Sequence, residues 1–131
     1  MFVFRLLGRL LLASLFVDSG LDLYRHPGPR AALGAKNLPS TVTDNLPVEV
    51  ETAARANAVA MVAAGSTMAL GILPRLSATI LAATLVPTTY VGHPFWGVED
   101  PQQRRMQRIH FLKNVSLGGA LMVIAGGGGR G

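Results

Sequence analysis

Apolar residues in this chain gather into four blocks, separated by stretches rich in charge, proline or glycine. The blocks cover residues 4–24, 54–73, 76–96 and 106–125. Each has about 20 residues, the length a helix needs to cross a bilayer. Their order predicts an all-α fold, a four-transmembrane-helix up-down antiparallel bundle over residues 1–125, with a flexible glycine tail at 126–131. The first block opens with Arg5 and Arg9 ahead of Leu10–Val17, a pattern shared with signal peptides. Asp18 falls inside what would be the cleavage motif, and three more apolar blocks follow, which favours a retained span.

Between the first two blocks, Pro27, Gly28, Pro29, Gly34, Pro39 and Pro47 predict an irregular connector, with a short interfacial helix over Ala31–Leu38 as the alternative. Pro47, Glu49 and Glu51 read as a helical first turn. Ala56, Ala60 and Ala64 form a small-residue stripe for close helix approach. Leu73-Pro74-Arg75 predicts a tight turn, so the second and third helices form a hairpin. Pro87 predicts a kink whose freed carbonyl falls to Thr88, Thr89 or water. Tyr90, Phe95 and Trp96 read as an interfacial aromatic rim, and 97–105 as an extramembrane bend. Met61, Met68 and Met122 read as filler.

Composition agrees with a membrane chain. Of 131 residues, 50% are hydrophobic and only 15% charged, and the mean hydropathy is +0.39. The net charge of +5 does not point to nucleic acid, because the basic residues are scattered between apolar blocks. Arg104, Arg105 and Arg108 read as headgroup anchors. With no cysteine, thiol nucleophiles, thiolate metal sites and disulfide chemistry are excluded.

Topology gathers the unexpected polar residues at one membrane face. Asp18 and Asp22 close the first span, Arg55 and Asn57 open the second, His93 ends the third, and His110, Lys113 and Asn114 open the fourth. Ser14, Asp18 and Asp22 are four residues apart and share a helix face. Because ionisable groups in lipid are costly unless paired, Asp18 and Asp22 are expected to pair with Arg55 and Lys113. Such a network serves equally as a lock on helix order or as a functional pocket. For His93 and His110 an interfacial hydrogen-bonding pair outranks metal ligation, and no metal is assigned.

The segments RLLLASLFVDSGLD, ARANAVAMVAAGSTMALG, PRLSATILAATLVPTTYVGHPFW and QRIHFLKNVSLGGALM resemble DoxX-like membrane proteins. The resemblance takes in all four blocks and leaves out the 25–48 connector and the tail. It implies a multi-pass protein of the bacterial inner membrane. It also implies a subunit or scaffold for an oxidoreductase linked to quinone, thiosulfate or oxidative stress, rather than a stand-alone enzyme. Quinone is the cofactor this reading allows. The implied partners are the lipid bilayer, an oxidoreductase and a second copy of the chain. No catalytic residue carries over. Two alternatives stand beside it: a small-molecule transporter or permeability factor, disfavoured by the apolar run Val115–Ala125, and an assembly protein without activity. Basic residues outside the spans favour the polar-cluster side as cytoplasmic, with both termini outside.

Overall fold

Alanine and leucine dominate the apolar blocks, both strong helix formers, and the blocks do fold as helices. The computed structural model describes residues 2–92 and 95–127. His93 and Pro94, and the tail from Gly128, lie outside the described residues. In order, the elements are α1 (Phe2–Arg25), α2 (Gly28–Asn37), α3 (Ser40–Asp44), α4 (Val50–Leu70), α5 (Pro74–Gly92), a 3-10 turn (Phe95–Gly97) and α6 (Pro101–Ala125). The described residues include no strand. The fold is all-α.

The four long helices have 24, 21, 19 and 25 residues. Among the described residues, however, no helix is both long and apolar enough to cross a membrane. The reason lies in the residues themselves. Arg5, Arg9, Asp18 and Asp22 interrupt α1, Arg55 and Asn57 sit in an alanine-rich α4, Pro87 and several threonines dilute α5, and α6 begins with polar turns. What the sequence predicts as four spans are helices of mixed polarity.

Helix α1 packs extensively on α4, α4 also on α5, and α5 on α6, whereas α1 and α6 make no extensive contact. The α1–α4 contact depends on glycine. A Cβ at Gly20 would lie 2.8 Å from Val62 Cγ2, and one at Gly65 3.0 Å from Val17 Cγ2. The close-approach stripe on α4 is therefore Ala58, Met61, Gly65 and Met68, all buried. The expected stripe is displaced: Ala64 is buried, but Ala56 is exposed. Met61 and Met68 belong to the core, and Met122 is 69% exposed. Phe16, Met68, Leu81 and Leu121 are the largest fully buried side chains.

Helix boundaries follow their caps. Gly71 adopts φ 76° and ends α4, with Ile72 N–H donating to the Thr67 carbonyl at 2.9 Å, the bond pattern of a Schellman cap. Leu73 follows at φ 44°, and α5 starts at Pro74, so the hairpin turn is Gly71–Leu73, earlier than its predicted place. Likewise α6 starts at Pro101, five residues before the predicted Met106. Its N-cap is Asp100, whose carboxylate accepts from Gln102 N–H at 3.2 Å, with Pro101 in the first turn. The predicted bend at 97–105 is half helix. Gly126 and Gly127 cap the other end, their N–H groups donating to the Met122 and Ile124 carbonyls, each at 2.9 Å.

Candidate functional site beneath the connector helices

The connector is the main departure from expectation. Its prolines and Gly34 do not break it throughout: Pro27 and Pro29 stand at the start of α2, where a missing N–H costs nothing. Gly34 sits at a helix crossing, where an added Cβ would lie 2.9 Å from Val50 Cγ1. The Asn37 amide donates to the Val91 carbonyl at 2.9 Å, tying α2 to α5. On α2, Arg30 and Gly34 are four residues apart, and Leu38 follows at the same interval, so the three share a face.

Under that face lies a cavity of about 370 Å³ bounded by α1, α2, α3, α4 and α5. Leu23, Val42, Ala53 and Val91 are among its apolar walls. Its polar lining consists of Arg30, Asn57 and Thr88. The Asn57 amide donates to Thr88 Oγ1 at 3.3 Å and makes a longer contact of 3.6 Å with Met61 Sδ. Thr88 in turn donates to the Thr84 carbonyl at 2.7 Å. That carbonyl is one residue beyond the Ala83 carbonyl freed by Pro87, so Thr88 does not play the predicted part. Across α5, the Asn114 amide donates to Thr89 Oγ1 at 3.1 Å in a buried setting. Asn57 and Asn114 thus bridge α5 to its two neighbours through adjacent threonines.

The expected ionic network does not form. Asp18, Asp22, Arg55 and Lys113 are all exposed, and Arg55 pairs instead with Glu51 at 3.7 Å. The Arg55 guanidinium also lies 5.8 Å from the Tyr24 ring centroid. The sequence gives the depth of each residue along its helix but not its angular position, and the exposed Arg55 finds a closer partner one turn away. Asp18 and Asp22 line a separate cavity of about 300 Å³ with His26 and Arg30. Lys113 and Asn114 line a third of about 110 Å³, also bordered by Arg30 and Thr88.

Arg30 is the residue that sequence reasoning overlooks. It borders all three cavities, and its Nη1 lies 3.3 Å from where a Cβ on Gly92 would stand. The available signal was the spacing of Arg30, Gly34 and Leu38, obscured by the surrounding prolines.

The three aromatic residues expected at the rim do cluster, and a fourth joins them. Tyr90 and Trp96 rings lie 5.5 Å apart, Phe95 and Trp96 5.3 Å apart. Phe111 of α6 completes the group, 5.2 Å from Phe95 and 5.9 Å from Trp96. The four rings join the end of α5 to α6. His110 is half-buried beside this group in sequence, and His93 lies outside the described residues. Among the described residues, no three His, Asp or Glu side chains are grouped to hold a metal ion.

An apolar cavity with a few donors has the make-up of a small-molecule binding site. Comparison with known proteins supplies the lineage. The DoxX family model matches residues 4–94. The chain belongs to the DoxX family. DoxX proteins are in general membrane-associated. The DoxX match differs from the resemblance read in the sequence: it takes in the 25–48 connector and stops before α6. Neither the curated proteins nor the solved structures include a match to this chain.

Proposed function

We propose that this DoxX protein is a multi-pass subunit of a bacterial inner membrane that holds a quinone-class ligand beneath α2 for a partner oxidoreductase. The observation that carries the membrane half is where the charges go. Arg5, Arg9 and Arg75 line one cavity, Asp18 and Asp22 another, and Lys113 a third. Those are among the residues that make the helices too polar by composition, and lining a cavity is where ionisable groups on membrane helices belong. Between them the helices also expose Leu11, Val59, Leu76, Val86 and Val115, apolar surface that calls for lipid or a partner.

The quinone half rests on the 370 Å³ cavity, within the roughly 300–1,000 Å³ range of small-molecule sites. A quinone is an apolar ring bearing carbonyl acceptors. The lining answers with hydrocarbon and with donors on Arg30 and Asn57. When bound, a quinone supplies reversible two-electron chemistry, while this chain's residues orient the ring and exclude water. Transport fits less well, because Phe16, Met68, Leu81 and Leu121 fill the bundle between its two ends.

Titration of purified protein with a menaquinone analogue tests the reading. Saturable binding should weaken roughly fivefold or more on Asn57→Leu or Arg30→Ala, since each removes a donor worth about 1 kcal/mol. Arg55→Ala should leave it unchanged, its charge being spent on an exposed pair with Glu51. Binding insensitive to Arg30 and Asn57 would rule the cavity out.

A further inference from the structure

At the end of the bundle away from α2 lies a cavity of about 510 Å³, walled by α1, α5 and α6. Arg5 and Arg9 reach it from α1 and Arg75 from α5, and Leu12, Val123 and Ile124 supply apolar wall. Among the described residues no carboxylate lines it. All seven Asp and Glu residues of the chain stand at positions 18, 22, 44, 49, 51, 99 and 100, on the half of α1 beyond this cavity or in segments at the α2 end. Three guanidinium groups therefore share one cavity with no acidic side chain to neutralise them.

A second observation points to a missing acceptor. Arg9 Nε is buried and has no hydrogen-bond partner, the one such side-chain atom among the described residues. Leaving a buried donor of a charged group unmet costs more than an ordinary lost hydrogen bond, so its neighbours bear on why it is tolerated. The Arg9 guanidinium is packed against the α4 cap, its Nη1 3.2 Å from where a Cβ on Gly71 would lie. The Arg75 guanidinium packs against Gly127 at the end of α6, where an added Cβ would overlap it. Both guanidinium groups thus pack against glycine helix caps at the cavity. Helix C-termini favour cations, but that attraction leaves Nε unanswered.

We propose that this cavity binds an anionic phospholipid, its phosphate among Arg5, Arg9 and Arg75 and its acyl chain along Leu12, Val123 and Ile124. Guanidinium forks match phosphate oxygens in geometry and charge. A small inorganic anion would leave the apolar wall unused, and a neutral lipid would leave the three charges unmet. The site is at the opposite end from the quinone cavity, so the two readings stand or fall separately.

Native mass spectrometry of the full chain tests it, with phosphatidylglycerol or phosphatidylcholine supplied at equal concentration. Phosphatidylglycerol adducts should be retained roughly tenfold more, given charge-assisted bonding to three arginines. Arg9→Gln should abolish the preference. Arg75→Gln, at an exposed position, should reduce it with the circular dichroism spectrum unchanged. Equal retention of the two lipids, or a preference indifferent to both substitutions, would overturn the assignment. Full displacement of the lipid by millimolar inorganic phosphate would overturn its acyl-chain half and leave a free-phosphate site.

Discussion

Asn114 on α6 donates its side-chain amide to the Thr89 hydroxyl on α5 across 3.1 Å, and the two are only 7% and 8% exposed. A bond this sheltered has no water to replace either partner. Asn114→Leu or Thr89→Val alone should each cost about 1–3 kcal/mol, because each strands a buried polar group. The double variant should lose less than the sum, and thermal unfolding of the four proteins closes the cycle. Strict additivity would mean that the contact contributes nothing.

The α4–α5 turn makes two opposed predictions from its two positive-φ residues, Gly71 and Leu73. Gly71→Ala places a Cβ at φ 76° and 3.2 Å from Arg9 Nη1, so the melting temperature should fall. Leu73 already carries a side chain at φ 44° and is largely exposed. Leu73→Gly should recover part of the roughly 1–2 kcal/mol that a left-handed L-residue costs. A drop in stability for Leu73→Gly would show that its side chain matters more than its backbone.

Two glycines inside helices should respond with opposite signs to the same methyl group. At Gly20 an added Cβ meets the Ala58 carbonyl oxygen at 3.0 Å as well as Val62. Since backbone cannot step aside, Gly20→Ala should destabilise by about 1–3 kcal/mol. At Gly119 nothing lies within 4 Å, and alanine there should gain about 0.4–1 kcal/mol through the unfolded state. Denaturation midpoints of the pair separate packing from propensity.

The sequence was a good guide wherever a property depends on position along one helix. The long helices, the α4–α5 hairpin and the placing of Asn57 and Asn114 near α5 all follow from apolar blocks and connector length. It misled where angle or crossing geometry decides. Asp18 was expected level with Arg55, yet α1 crosses α4 with Gly20 against Ala58 and Val62, Arg55 lies over Tyr24 instead, and the two do not pair. Gly34 and the prolines of 27–29 look like breakers, although the prolines open a helix and the glycine lets that helix lie across α4. Asp100-Pro101 was a legible helix start, hidden by the assumption that helix begins where apolar residues begin. Polar turns extend α6 beyond its apolar part.

The sparse contact between α1 and α6 fixes an order of events as well as a shape. Helix α4 is gripped by α1 and α5, whereas α6 among the long helices packs extensively on α5 alone. Opening free energy is set by the contacts that must be broken. Amide hydrogens of the second half of α6 should therefore exchange through a partial opening, well before those of Ala58–Met68, which wait for global unfolding. Exchange rates alike in α4 and α6 would count against it. The native protein is then in equilibrium with a minor form in which three long helices stay closed and the fourth has swung free.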